Sequence, residues 1–214
     1  MTTPPRALPT TLQRTRTGNP GRAPLSERGE DLYETPKEAT WALLKAERLP
    51  EHIWEPAAGR GAIVDVLREA GHTVYATDLI DYGIPNQQSA VDFLMEYRAP
   101  MFCDCIVTNP PFKLVDPFVR TAIELVPKVC MLLRLMYLEG AGRDDVLDRL
   151  TRVHVFKNRL PRMHRDGWEG PRATSTMCFA WFVWEREHDG PVALHRITWE
   201  KLNADIRAGA GTAA

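Results

Sequence analysis

The sequence CDCIVTNPPF, residues 103–112, joins an apolar run to two consecutive prolines. The run from Cys103 to Thr108 predicts a buried strand. The prolines remove two backbone donors and favour an extended conformation for Asn109, so neither a helix nor a strand can continue through them. The Asn109 side chain and the Pro110 carbonyl are therefore available to a ligand at the end of the strand, unless the tetrapeptide forms a plain turn.

A second motif, EPAAGRG over residues 55–61, lies between the apolar pair Ile53-Trp54 and a helical pattern over 62–70. Glycines in such a loop let the backbone approach a nucleotide closely, and the helix N-terminus behind them favours an anionic group. The β-branched and aromatic run 73–77 then predicts a strand that ends before Asp78, where an acid would accept ribose hydroxyls. This order of elements predicts a βαβ unit that binds a nucleoside cofactor.

Strands and helices continue to alternate after these motifs, which predicts a doubly wound, mostly parallel α/β sheet. The stretch 81–89 is predicted as a loop. Helices predicted over 115–126 and 143–150 flank the apolar run 129–135, which is typical of a buried parallel strand. The C-terminal strands are predicted over 152–156, 176–184 and 192–199, the first two as an antiparallel hairpin and the third as an edge strand.

Local signals predict how several helices begin and end. Thr35 is predicted to cap a helix that runs to about residue 48, with Pro36 as its first residue and Glu38 closing a capping box. Gly71 is predicted as the left-handed residue that ends the helix after the glycine loop. Asp92 has two interpretations, an acid that faces a cofactor amine or the cap of a short helix.

Composition favours one globular domain, since 44% of the 214 residues are hydrophobic. A net charge of -1 argues against a uniformly basic surface, so any contact with nucleic acid must come from a local patch. We expect a cytoplasmic protein that does not enter the membrane, because the sequence shows neither a bilayer-spanning run nor a signal peptide. We also expect a monomer. The cysteines at 103, 105, 130 and 178 lie in strand-like segments and are predicted to be reduced and buried, and no metal site is predicted.

Two basic segments are candidate contacts for nucleic acid. Residues 1–29 are predicted to form a flexible basic arm before a domain over 30–200 and a tail over 201–214. This arm either tethers phosphates or is a solvated tail. The stretch 157–172 either contacts phosphates and a groove or is a solvated hairpin loop. The substrate-binding candidates are Phe112, Lys113, Arg159, Arg162, Arg165, Trp168 and Arg172.

Taken together, the motifs resemble those of class I S-adenosylmethionine-dependent methyltransferases of the amino-methylating group, and the chain is most similar to the small phage and prophage DNA N6-adenine methyltransferases. The resemblance covers nearly the whole chain and implies a Rossmann-like sheet that ends in an antiparallel hairpin. It implies that S-adenosylmethionine is bound by Tyr33, Thr35, Glu55, Pro56, Ala57, Gly59, Gly61, Asp78, Asp92, Phe93 and Asn109. Ala57 stands where many relatives carry the first glycine of the loop.

The resemblance also implies a catalytic loop made of Asn109, Pro110, Pro111 and Phe112. Two oxygen acceptors would localise the lone pair of an exocyclic amine, and Phe112 would offer a face to a base rotated out of its duplex. The implied reaction is methyl transfer to the N6 amine of adenine in DNA, with a short or loose target sequence. Alternatives with the same tetrapeptide are an RNA base amino-methyltransferase, acting on adenine N6 or guanine N2, and a protein glutamine N5-methyltransferase. A dinucleotide-dependent oxidoreductase would share the glycine loop but have no use for this tetrapeptide.

Overall fold

The computed structural model describes residues 33–161, 163 and 175–199, so the predicted arm and tail lie outside it. Within these ranges the strands are β1 His52–Glu55, β2 Thr73–Thr77, β3 Gln87–Gln88, β4 Cys105–Thr108, β5 Lys128–Arg134, β6 Leu150–Phe156, β7 Phe179–Glu185 and β8 Ala193–Ile197. The helices are α1 Lys37–Ala46, α2 Ala62–Glu69, α3 Val115–Leu125 and α4 Asp144–Leu147, with 3₁₀ helices at Phe93–Met95 and Leu135–Leu138. None of the described helices has the length and apolar character needed to cross a membrane.

The strands form one mixed sheet in the order β3-β2-β1-β4-β5-β7-β6-β8. Strands β1 to β5 pair in parallel, whereas β7 lies antiparallel between β5 and β6, and β8 adds a parallel edge strand beside β6. The predicted α/β sheet with a C-terminal antiparallel hairpin is therefore confirmed. The strands β1, β2, β4, β5 and β6 all end at one edge of the sheet, where β7 begins, and we call this the carboxyl edge.

Each face of the sheet has its own hydrophobic core because successive strand residues point to opposite sides. Helices α1 and α2 cover one face, which includes Val107 and Trp181. Helix α3 and Val146 of α4 cover the other face, which includes Ile106 and Trp184. The buried indole N–H groups are also satisfied: Trp181 donates to the carbonyl of Ala39 and Trp184 to that of Val146, each at 2.8 Å. Two helices are thereby fixed against the sheet by hydrogen bonds as well as by packing.

A buried ionic cluster lies at the opposite, amino edge of the sheet, and we call it the Glu47 cluster. The Glu47 side chain is 4% exposed and contacts Lys128 Nζ at 2.7 Å, Arg152 Nε at 2.6 Å and His154 Nε2 at 2.6 Å. Glu185 contacts Lys128 and Arg152, each at 2.9 Å. Burial by itself would raise the pKa of Glu47, but the hydrogen bonds from its partners outweigh burial and hold that pKa well below its ordinary value.

Several local predictions are wrong. Two residues of the predicted loop, Gln87 and Gln88, pair with the end of β2 as strand β3, although glutamine has no marked strand preference. Strand β4 begins only at Cys105, because the chain turns at Phe102, whose φ is 73°. All four cysteines are free, but only Cys105 and Cys130 are buried: Cys103 is half-buried, and Cys178, which precedes β7, is exposed. Gly71, at φ 93°, has the left-handed conformation predicted for it.

Candidate active site

Asn109 lies directly after β4 at the carboxyl edge, and its side-chain amide is fixed by a long-range hydrogen bond. Its Nδ2 donates to Oγ1 of Thr35 at 3.0 Å and lies 3.9 Å from Sδ of Met163. Its Oδ1 is buried and has no hydrogen-bond partner within the described part of the chain. A buried acceptor without a donor is costly to a folded protein, so such an atom suggests a ligand that supplies an N–H or O–H.

The same bond corrects the prediction for Thr35. Helix α1 begins at Lys37 with Pro36 at the N-cap position and has no side-chain cap. The Thr35 hydroxyl, which is buried, serves Asn109 instead. The local pattern predicts that the Thr35 hydroxyl caps the helix, but this oxygen accepts a hydrogen bond from a residue 74 positions away.

Phe112 is half-buried and contacts aromatic and cationic side chains of the protein itself. Its ring centroid lies 5.2 Å from that of Tyr33 and 6.1 Å from that of Phe179. The guanidinium carbon of Arg134, the last residue of β5, lies 4.4 Å from the same centroid. The Pro111 carbonyl accepts the Leu114 N–H at 2.8 Å, so the tetrapeptide also forms the turn that leads into α3.

Glu55 ends β1 and is fully buried at the start of the glycine loop. Burial raises its pKa to about 8, the Thr108 hydroxyl and the Ala57 N–H partly oppose this rise, and the nearby Asp78 charge adds to it. Oε1 accepts the Ala57 N–H at 3.2 Å, whereas Oε2 has no hydrogen-bond partner among the described residues. The site therefore holds a carboxyl group that would ionise readily if a cation entered beside it.

Asp78 connects the glycine loop to the end of β2. One carboxylate oxygen accepts the Gly59 N–H at 2.8 Å and the other accepts the Ile80 N–H at 2.9 Å. Gly61, at φ 86°, lies in the left-handed region and starts α2 through a 2.8 Å bond from Asp65 N to its carbonyl. Pro56 is buried and Ala57 is half-buried in the same loop. The structure therefore brings the predicted loop residues and Asp78 together.

Asp92 and Phe93 have structural roles in this conformation. Asp92 caps the 3₁₀ helix by accepting the Leu94 N–H at 3.0 Å, which favours the second of its two interpretations. The Phe93 ring is 2% exposed and packs against Trp54 at 5.2 Å and Phe118 at 4.7 Å. The Phe93 ring is therefore part of the hydrophobic core.

A cavity of about 420 Å³ opens beside Phe112, between the start of α3 and the end of β5. Arg143 binds its walls together: Nε donates to Asp116 at 2.9 Å, Nη1 donates to the Glu139 carbonyl at 2.6 Å, and the guanidinium lies 4.6 Å from the Tyr137 ring centroid. Lys113 also lines this cavity. The sequence interpretation missed Arg134, although it is the one charged residue in the predicted strand 129–135.

The predicted basic segment is described only in part. Arg159 is exposed and donates to the Thr176 carbonyl at 2.8 Å, which joins the two ends of the β6–β7 connection. Arg162, Arg165, Trp168 and Arg172 lie outside the described residues. Within the described ranges, no group of three or more His, Cys, Asp or Glu side chains could hold a metal ion.

The raised pKa of the buried Glu55 carboxyl predicts how the stability of the protein depends on pH. Because its pKa in the folded protein exceeds the ordinary value of 4.5, the folded protein binds more protons than the unfolded chain between these two pH values. Its contribution to stability is thus complete below the ordinary pKa and is lost as the pH rises through about 8. In urea unfolding, Glu55→Gln should raise the free energy of unfolding by roughly 2–4 kcal/mol near pH 8.5 and change it little near pH 4.

Glu69→Gln provides the matched control, because it removes an exposed carboxylate from the end of α2 in the same part of the fold. This control should show no comparable gain at alkaline pH. A Glu55→Gln protein that is destabilised equally at both pH values would contradict the assignment of a buried neutral carboxyl group.

No protein-family model and no curated protein matches the sequence. Solved structures do match the fold. A Pyrococcus horikoshii protein described as an RNA methyltransferase has a TM-score of 0.52 at 14% identity, over 72% of this chain and 85% of its own. A modification subunit assigned to a type I restriction enzyme from Vibrio vulnificus YJ016 has a TM-score of 0.53 at 11% identity, over 86% of this chain and 54% of its own.

These similarities establish the fold and not the substrate. The sheet order and the antiparallel β7 are those of a class I methyltransferase fold, in agreement with the expected fold class. The match covers only about half of the restriction-modification subunit.

Proposed function

We propose that this protein is an S-adenosylmethionine-dependent methyltransferase that modifies the N6 amine of adenine in DNA. The observation that carries the proposal is the buried, unpartnered Oδ1 of Asn109. Asn109 lies at the carboxyl edge, its Nδ2 donates to Thr35 Oγ1, and Pro110 follows it directly. The carboxyl edge is where open α/β sheets bind their ligands.

The residues around the glycine loop fit the cofactor. Glu55 has an unpartnered buried oxygen and a raised pKa, so it suits the ammonium group of an amino acid moiety. Each oxygen of Asp78 accepts one backbone N–H and keeps a second lone pair for a ribose hydroxyl. When bound, S-adenosylmethionine supplies an electrophilic methyl group.

Asn109 Oδ1 and the Pro110 carbonyl then accept the two hydrogens of the target amine. This arrangement localises the nitrogen lone pair and stabilises the positive charge that grows on the nitrogen during attack. Phe112 supplies aromatic surface to the base at the same edge. No strong base is needed, because the nitrogen loses its proton after the new bond has formed.

Thr35 acts as a positioning residue, and its role can be measured. Thr35→Val keeps the shape of the side chain but removes the oxygen that holds Asn109 Nδ2 at 3.0 Å. We expect kcat to fall roughly 10- to 100-fold because a small misplacement of a reacting group is costly. KM for DNA should change little.

Thr35→Ser retains the hydroxyl and should keep most of the activity, so it is the matched control. Cofactor affinity is measured for both variants by calorimetry. Equal losses of kcat in the valine and serine proteins would contradict a role for the hydroxyl.

A nucleic-acid substrate is supported by Lys113 and Arg134, which line the cavity beside Phe112 and have no carboxylate partner among the described residues. It is also supported by two structural neighbours, one described as an RNA methyltransferase and the other as a modification subunit of a type I restriction enzyme. We place DNA adenine first because the catalytic tetrapeptide resembles that of the phage and prophage DNA adenine methyltransferases. An enzyme of this type would recognise a short or loosely defined target sequence. RNA base methylation is the second candidate, since a structural neighbour is described as an RNA methyltransferase.

The test is to incubate the purified protein with labelled S-adenosylmethionine and either unmethylated genomic DNA or total RNA, and then to identify nucleosides by mass spectrometry. N6-methyladenine in DNA is the expected product. A methylated nucleoside in RNA alone would favour the second candidate. Labelling of neither polymer, with cofactor binding intact, would contradict both.

A further inference from the structure

Arg134 occupies an unusual position for a charged side chain. It is the last residue of the central strand β5, and it pairs across the sheet with Phe179, the first residue of β7. Both residues lie at the carboxyl edge, beside the candidate catalytic loop. The guanidinium carbon of Arg134 lies 4.4 Å from the centroid of the Phe112 ring, and this cation–π contact restrains the guanidinium before any ligand is present.

The guanidinium has no anionic partner within the described residues. Four of the other described arginines pair with carboxylates: Arg120 with Asp145, Arg143 with Asp116, Arg149 with Glu124, and Arg152 with Glu47. Arg68 and Arg186 donate to backbone carbonyls instead. Arg134 differs from them, and its Nε is buried without a hydrogen-bond acceptor. A buried donor of this kind indicates a missing acceptor.

The adjoining cavity is open to a ligand and has Lys113 as a second cationic side chain in its lining. Arg134 and Lys113 both line it, and Lys113 is exposed and forms no ion pair in the described chain. The Asp116 carboxylate in the same cavity is paired with Arg143 and so does not neutralise Arg134. Glu139 is the remaining acid of the lining and is exposed.

We propose that Arg134 and Lys113 form a binding site for a backbone phosphate of the nucleic acid, inside this cavity. A phosphodiester oxygen would supply the acceptor that Arg134 Nε lacks, and a planar guanidinium matches phosphate geometry well. This site would fix the strand next to the target base and so set the register of the substrate on the catalytic loop. The inference rests on the proposed action on nucleic acid.

The experiment measures the salt dependence of DNA binding by the full chain. Fluorescence anisotropy of a labelled, unmethylated duplex is followed over a range of NaCl concentrations, with a single-stranded RNA of the same sequence as a second probe. Each phosphate contact contributes roughly 0.9 to the slope of log affinity against log salt on duplex DNA. Arg134→Gln should therefore lower the magnitude of the slope by about that amount, and so should Lys113→Gln.

Two further variants separate charge from structure. Arg134→Lys keeps the positive charge and should retain the slope of the unmodified protein. Arg149→Gln removes a cation near the amino edge of the sheet, where it pairs with Glu124 at 2.6 Å, and should also retain the slope. Because Lys113 is exposed, its glutamine variant tests the site even if Arg134→Gln fails to fold.

The outcomes distinguish this inference from the proposed function. A protein that methylates nucleic acid, and whose slope is unchanged by Lys113→Gln and by a folded Arg134→Gln, would overturn the phosphate site alone. A protein that binds neither DNA nor RNA would overturn both. A reduced slope in Lys113→Gln and Arg134→Gln, with Arg134→Lys and Arg149→Gln unchanged, would support the site.

Discussion

Replacing Asn109 by alanine is expected to lower methyl transfer by about 10²–10³-fold or more, because it removes the acceptor that stabilises charge growing on the amine. The binding of S-adenosylmethionine should change little, since Glu55 and Asp78 remain in place. The first measurement is single-turnover methylation of DNA with saturating cofactor, and the second is cofactor affinity by calorimetry. A change confined to the chemical step would assign Asn109 to the reacting centre.

Asn109→Asp is the matched variant for this experiment. It retains an oxygen in place of Oδ1, and its second oxygen can accept a hydrogen bond from the Thr35 hydroxyl. We therefore expect the aspartate protein to retain more activity than the alanine protein. Loss of cofactor binding and a large fall in melting temperature in both variants would instead assign the loop a structural role.

Replacing Glu47 by glutamine is expected to lower the free energy of unfolding by about 3–5 kcal/mol, the cost of breaking a buried ion pair from one side. The substitution leaves Lys128 and Arg152 with Glu185 as their shared carboxylate partner in the Glu47 cluster. Urea unfolding at neutral pH measures the change. The stabilisation should be present at neutral pH and be lost as the pH falls below the ordinary glutamate range, because the folded-state pKa is lowered.

Glu124→Gln is the control for Glu47→Gln. Glu124 also pairs with an arginine, at 2.6 Å from Arg149, but its side chain is 70% exposed. An exposed pair contributes at most about 1 kcal/mol, so this variant should unfold nearly as the unmodified protein does. Equal effects of the two substitutions would contradict a stabilising role for the buried cluster.

The local sequence pattern was sufficient to predict helices and strands that have a clear periodicity or a strongly apolar or β-branched composition. The β-branched run at Thr73–Thr77 forms the predicted strand, and α3 and β5 lie within one residue of their predicted bounds at each end. Both motifs also lie where the predicted topology puts them, with Glu55 and Asn109 at one edge of the sheet. Hydrophobic periodicity, together with proline and glycine residues that end helices and strands, provides this information.

Interactions between distant segments could not be read in the same way. Thr35 has an ideal capping pattern, but a bond to Asn109 uses its hydroxyl. Glu47 follows α1 and resembles an ordinary surface acid in the sequence, whereas in the fold β5 and β6 bring its partners around it. The contact of the Arg134 guanidinium with the Phe112 ring, which places Arg134 beside the candidate catalytic loop, is visible only in the folded structure. In each case the deciding contact joins residues that no short window of sequence contains.

The antiparallel direction of β7 has an evolutionary consequence. Because β6 ends and β7 begins at the carboxyl edge, the connection between them leaves and re-enters the sheet beside Asn109. The other ends of both strands are held by Arg152 and Glu185, far from that connection. Insertions or exchanges between residues 157 and 178 would therefore alter the surroundings of the site without shifting either strand. In this way the residues around the site can change during evolution while the strands and Asn109 stay in place.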